Sequence, residues 1–187
     1  MATLVVVFRI VSLLAFAGPV LLRAFGRTEG AKRGPARTAS ERAPVVANLA
    51  AFGVFLILLF VFSASARNST GLLLASSGSV VAIAGAALVL RSRGALGAAW
   101  SLVPRADHAT GLVTNGPYSR VRHPIYLGLS LLAIGQAVAF GSWPAFAIVL
   151  LGIAPTFAWR AHTEEKLLSR TFGEGYADYK RRTRMIL

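Results

Sequence analysis

Five apolar runs divide this chain, and polar, basic stretches separate them. Each run approaches the roughly 20 residues an α-helix needs to cross a bilayer core, so the pattern predicts five spanning helices. The first covers about Leu4 to Phe25, with a kink expected at Gly18-Pro19. The second, about Val45 to Ala66, carries no charge. The third, about Leu72 to Leu90, is rich in Gly, Ala and Ser, and Gly78, Ala82, Gly85 and Ala86 would let another helix backbone approach closely. The fourth and fifth, about Ile125 to Phe140 and Pro144 to Trp159, are short, and only Gly141-Ser142-Trp143 parts them. That spacing predicts a helical hairpin or one re-entrant pair. Arg9 interrupts the first run, no basic region precedes it, and no small-x-small cleavage site stands out, so it reads as a retained helix and not a signal peptide.

Composition strengthens the membrane reading. The 187 residues are 55% hydrophobic and 14% charged, with a mean hydropathy of +0.62, too apolar for a soluble domain. The net charge of +13 would suit a nucleic-acid partner, but the basic residues form no stripe with interleaved aromatics. They fall in alternate gaps instead: six in 23–43, five in 91–123 and seven from Arg160 onward, with only Arg9 and Arg67 elsewhere. By the positive-inside rule this face is cytoplasmic and the N-terminus lies outside. The same charge suits contact with anionic lipid headgroups. Segment 28–44 is polar and turn-rich, which predicts a loop. Cysteine is absent, which excludes disulfides, thiolate metal sites and a cysteine nucleophile. His108, His123 and His162 fit no compact ligand set, so no metal is expected.

The densest chemistry lies in GLVTNGPYSRVRHPIYLG, residues 111–128. Gly111, Gly116 and Gly128 suit sharp turns or close approach to a ligand. Pro117 and Pro124 stiffen the backbone and hold the residues before them extended. Tyr118, His123 and Tyr126 offer aromatic faces with polar tips, suited to gripping an adenine or a cation. A plain connection between helices needs none of these three. Farther on, Arg160 and Glu164 are four residues apart and share a helix face. An i,i+4 ion pair of purely structural value would also satisfy that spacing.

LVTNGPY…RHPIYLG resembles the core signature of the isoprenylcysteine carboxyl methyltransferase family, integral-membrane enzymes that use S-adenosylmethionine. A second motif resembles that family's C-terminal partner to the loop: Arg160, Glu164-Glu165, Phe172-Gly173, Tyr176 and Tyr179. Leu96-Gly97 and Trp100-Ser101 resemble its lead-in, so the likeness covers residues 96–187. The chain departs from the pattern at Thr110, where the family often has His; His108 stands two residues earlier. The closing RRTRMIL lacks the family's usual proline.

The resemblance implies an all-α membrane protein of about five spans with a cytoplasmic cofactor loop and a C-terminal helix. Three helices and the basic loop at 23–43 would make up residues 1–90. Residues 91–187 would be the methyltransferase core, with the cofactor loop at 96–128, a hairpin at 125–159 and a cytoplasmic helix from 160. It further implies S-adenosylmethionine held by Gly111, Leu112, Val113, Tyr118, His123, Pro124, Tyr126 and Glu165. Arg160 and Glu164 would be catalytic, with Arg160 fixing an anionic acceptor through its planar fork. The acceptor would be a prenylated or other lipophilic molecule, and an Ala/Arg/Gly-rich composition suggests a bacterial cytoplasmic membrane. Two other readings compete: an NADPH-dependent sterol or isoprenoid reductase, and a non-catalytic scaffold.

Overall fold

In the computed structural model the described residues are 2–25, 39–63, 68–97 and 111–186, with side chains described for all of these except 17–25 and 39–42. Residues 28–38 of the expected loop, Arg67, Trp100-Ser101, His108 and Thr110 fall outside that description, and at Gly18-Pro19, where a kink is expected, the backbone is described only as helical. Among the described residues six α-helices carry the fold: α1 (Ala2–Phe25), α2 (Ala39–Val61), α3 (Ser69–Leu96), α4 (Pro124–Phe140), α5 (Trp143–Ile148) and α6 (Ala154–Arg182). A π-helical turn, Val149–Ile153, joins α5 to α6 into one continuous rod. All five predicted runs are helical among the described residues, the helix of the second ending at Val61. Ala43–Val61, Ser69–Leu96 and Trp143–Arg182 are long and apolar enough to cross a membrane, whereas Ala2–Phe16 and Pro124–Phe140 are shorter apolar helices.

Several boundaries differ from the sequence reading, for local reasons. α2 begins at Ala39, so the last residues of the expected 28–44 loop are helical. α3 starts where Asn68 caps it, its side chain accepting from the Gly71 N–H at 3.0 Å, and extends past Leu90 to Leu96. That extension places Arg91 and Arg93 on helix and not in loop. The fourth and fifth runs form a hairpin: Gly141 adopts the left-handed conformation at the end of α4, and Ser142 accepts from the Ala145 N–H at the start of α5. The fifth helix does not stop near Trp159, because α6 carries on from the apolar stretch into the charged tail.

The helices pack most closely where side chains are smallest. A Cβ built on Gly85 would lie 2.6 Å from the Gly128 carbonyl oxygen, and one on Gly78 would lie 2.6 Å from that of Gly135. Backbone therefore meets backbone across α3 and α4, with Ala82, Ala86, Leu132 and Ala139 buried along the same seam. The expectation for Gly78, Ala82, Gly85 and Ala86 is borne out. Behind this seam Phe55, Leu59, Phe140, Ala145, Val149, Ile153 and Phe157 form the core shared by α2, α4, α5, the π turn and α6.

Polar groups between the helices find partners within the protein, as a low-dielectric surrounding demands. Arg9 Nε donates to the Ala139 carbonyl at 3.1 Å, and its guanidinium also reaches the Phe140 carbonyl and lies 5.2 Å above the Phe140 ring. The charge that interrupts the first run thus caps the C-terminal end of α4, where carbonyls lack intrahelical donors. Asn48 Nδ2 donates to Thr156 at 2.9 Å, and Ser142 Oγ donates to the Leu58 carbonyl at 2.9 Å. These ties set the direction of each helix. Arg9, Leu58 and Ser142 mark one end of the bundle, while Asn48, Thr156 and the start of α4 lie toward the other. The start of α2, the end of α3 and the stretch 111–123 therefore share an end with the charged part of α6.

Candidate active site

At that end the start of α4 meets the charged half of α6. His123 stands just before Pro124, where the fixed φ of proline suits the first helical position. Its ring is 6% exposed and stacks on Tyr126, centroids 5.6 Å apart and planes 8° apart. Tyr126 stacks in turn on Phe157 of α6 at 4.9 Å. The Arg160 guanidinium lies 5.4 Å above the Tyr126 ring, and Arg160 Nε is 3.2 Å from Glu164 Oε1. The Tyr126 hydroxyl donates to the same Glu164 oxygen. Arg160 and Glu164 are therefore joined across the helices as well as along α6, which an isolated i,i+4 pair would not be.

Glu165, one residue on, faces another set of groups. Arg122 Nε lies 2.6 Å from Oε1 and Lys180 Nζ 3.2 Å from Oε2, with the Glu165 side chain 8% exposed. Burial opposes its charge, but the surrounding donors His123, Arg122 and Lys180 outweigh burial and hold its pKa well below the ordinary carboxylate range. The His123 ring sits between the two carboxylates, Nδ1 3.6 Å from Glu164 and Nε2 3.7 Å from Glu165. Among the described residues Nε2 and the Tyr176 hydroxyl are buried without a hydrogen-bond partner. Burial raises the Tyr118 and Tyr176 phenols and pushes Tyr179 up to about 12, so all three remain neutral donors at ordinary pH.

The structure brings together His123, Pro124, Tyr126, Arg160, Glu164 and Glu165. Tyr118 is buried in a 3-10 turn, Gly116–Ser119, where its carbonyl accepts from the Tyr179 hydroxyl at 2.7 Å. Gly111, Leu112 and Val113 form an irregular stretch leading to this turn, and among the described residues they make no hydrogen bond to the cluster. Gly111 has φ +67°, and among the described residues nothing lies within 4 Å of where a Cβ would stand. Sequence reasoning left Arg122, Lys180 and Phe157 out of the site and gave the closing residues no part in it. Arg184 and Met185 pair with the loop by main chain: Arg122 N–H donates to Arg184 at 2.8 Å and His123 N–H to Met185 at 3.1 Å. The Phe-Gly-x-x-Tyr-x-x-Tyr spacing and the closing RRTRMIL were the available signals of this return.

Comparison with known proteins agrees with this architecture. The phospholipid methyltransferase family matches residues 73–175, more than half of the chain. The chain belongs to that family. Within the phospholipid methyltransferase family, the likeness to isoprenylcysteine methyltransferases also holds. The protein-S-isoprenylcysteine O-methyltransferase of Schizosaccharomyces pombe is 36% identical over 76 residues, covering 41% of this chain and 31% of the relative. The nickel-cobalt-cadmium resistance protein NccN of Alcaligenes xylosoxydans xylosoxydans is 40% identical over 75 residues, 40% of this chain and 35% of the relative. These matches span about a third of the curated relatives. Among solved structures, the eukaryotic intramembrane Ras methyltransferase ICMT aligns with a TM-score of 0.61 at 19% identity, covering 94% of this chain and 62% of that one. The fold is thus shared along nearly the whole chain, while sequence similarity is concentrated in a shorter part.

Proposed function

We propose that this protein is a membrane-embedded methyltransferase that moves a methyl group from S-adenosylmethionine to a lipophilic acceptor, with its site at the cytoplasmic face. The observation that carries this reading is the His123–Tyr126 ring stack, set against Glu164 and Arg160 where the bundle ends. The relatives named above as methyltransferases support the same class. The residues present fit the cofactor. Among the described residues His123 Nε2 is a buried polar atom with no hydrogen-bond partner, and nothing lies within 4 Å of where a Cβ on Gly111 would stand.

Gly111, Leu112 and Val113 would hold the cofactor by main chain, and Tyr118, His123, Pro124 and Tyr126 by their faces and polar tips. S-adenosylmethionine supplies a methyl group already activated on a positively charged sulfur. The protein then has to align the reactants and exclude water. Glu164 places a carboxylate near the aromatic stack and fixes Tyr126 and Arg160 in orientation. Arg160 holds an anionic acceptor group, for which its planar fork is suited. A carboxylate acceptor, such as that of an isoprenylcysteine or a comparable membrane-soluble acid, needs no general base. The core residues Phe157 and Tyr126 beneath the charged pair suit an acceptor that arrives from the bilayer with an apolar tail.

Calorimetric titration of the detergent-purified protein tests the reading. S-adenosylhomocysteine should bind and NADPH should not. His123→Ala should weaken S-adenosylhomocysteine about tenfold or more, through loss of a stacked ring and its polar atoms, with the melting temperature little changed. Absence of S-adenosylhomocysteine binding to the folded wild type would overturn the proposal.

A further inference from the structure

Gly173 breaks α6 with φ +51° and ψ −123°, although a Cβ there would touch nothing within 4 Å among the described residues. Glycine is required at this position by conformation and not by space. Beyond it the chain turns back on the cofactor loop. Tyr179 donates to the Tyr118 carbonyl, and Lys180 pairs with Glu165. Arg122, paired with the other oxygen of Glu165, also donates to the carbonyls of Lys180 and Thr183. Arg184 and Met185 complete the return by main-chain bonds to Arg120, Arg122 and His123. These contacts converge on His123, whose ring lies beside Glu165 and whose backbone N–H ends on Met185.

We propose that residues 174–186 are a latch on the cofactor loop, hinged at Gly173, in which Lys180 is a positioning residue that fixes His123 through Glu165 and Arg122. This rests on the cofactor reading above. Both oxygens of Glu165 are engaged by cations of the chain itself, so its role is to join loop to latch, and Glu164 is the carboxylate on the cofactor's side. The Lys180 side chain is 47% exposed while that of Glu165 is 8% exposed, so the pair stands at the rim of a buried site. A closed site around buried His123 and Tyr126 must open for each exchange of cofactor for product, and a short segment on a glycine hinge, held at its rim by a solvent-accessible ion pair, can do so.

The test uses the full chain in detergent and two variants. Lys180→Met keeps length but removes charge. Gly173→Ala favours a straight helix, which would carry Tyr179 and Lys180 away from the loop. In each, hydrogen exchange at the Arg122 and His123 amides should rise, and S-adenosylhomocysteine affinity should fall by about fivefold, the upper range for a partly exposed ion pair. Lys180→Arg should restore both. A merely structural role would lower the melting temperature and leave affinity per folded molecule unchanged. Wild-type exchange in both variants would overturn the latch. Raised exchange with wild-type affinity would overturn the positioning role. If the wild type itself bound no S-adenosylhomocysteine, the cofactor reading would fail, and the exchange measurement would still decide whether the latch exists.

Discussion

Gly85→Ala is a demanding test of how the site is held. The added Cβ would stand 2.6 Å from both the Gly128 carbonyl oxygen and the Leu132 nitrogen, where ordinary contact begins at 3.4 Å. The shortfall from 3.4 to 2.6 Å is about 0.8 Å, and the atoms met are backbone, which cannot rotate aside. α3 and α4 must therefore part. Overpacking of this kind costs about 1–3 kcal/mol, equivalent to a fall in melting temperature of about 2–12 °C for a chain of this size. Gly128 lies two residues beyond Tyr126, so the same displacement moves the Tyr126 hydroxyl relative to Glu164. Misplacement by about 1 Å can cost on the order of 100-fold in rate, so turnover per folded molecule should fall as well. Gly94→Ala is the control: it lies on the same helix with nothing among the described residues within 4 Å of the new methyl, and should be neutral or slightly stabilising. Thermal unfolding in detergent, monitored by tryptophan fluorescence, compares the two. If Gly85→Ala melts with Gly94→Ala, the helices do not cross as closely as described.

Two further substitutions address the site. Arg160→Ala should leave S-adenosylhomocysteine binding nearly intact but cut methyl transfer by about 10- to 100-fold, the range for losing a charge-assisted hydrogen bond. Arg160→Lys should recover little of it. A panel of isoprenyl thioether acids and lipid extracts with labelled cofactor supplies the assay, and wild-type rates in Arg160→Ala would refute the acceptor role. Glu165 has a lower pKa folded than unfolded, so its stabilisation is complete above the unfolded carboxylate value, about 4.3, and is lost as pH falls below it. The gap in melting temperature between wild type and Glu165→Gln should therefore be widest near neutral pH and narrow below about pH 5; a gap independent of pH would show that the carboxylate's charge is not what holds it.

Much of this was legible in the sequence because membrane helices announce themselves by apolar length. The close seam of α3 and α4 could be read from Gly78, Ala82, Gly85 and Ala86, since only small residues permit such an approach. The union of the RHP loop with Arg160 and Glu164 came from motif resemblance, and no periodicity would have given it. What remained hidden depends on contacts distant in sequence. Nothing local marks Arg9 as the cap of a helix that ends more than a hundred residues later. Likewise, Glu164 and Glu165 are adjacent in sequence, yet one turns to Tyr126 and Arg160 and the other to Arg122 and Lys180. The apparent end of the fifth run at Trp159 reflects only loss of apolar character, while hydrogen bonding carries the helix onward.

The π-helical turn at Val149–Ile153 governs rotational phase. Ala145, Val149, Ile153, Phe157, Ala161 and Glu165 are all buried at strict four-residue intervals. At 3.6 residues per turn each such step overshoots a full turn by about 40°, so five steps would swing Glu165 about 200° from the face of Ala145. The wider π turn takes back part of that drift early in the rod. The buried row therefore winds around the rod by less than an unbroken α-helix would carry it, and it ends with Glu165 against the loop. A change of one residue in chain length could be absorbed within 149–153, where the winding is already loosened. The same change between Ala154 and Arg160 would turn Glu164 and Glu165 about 100° off the loop they serve.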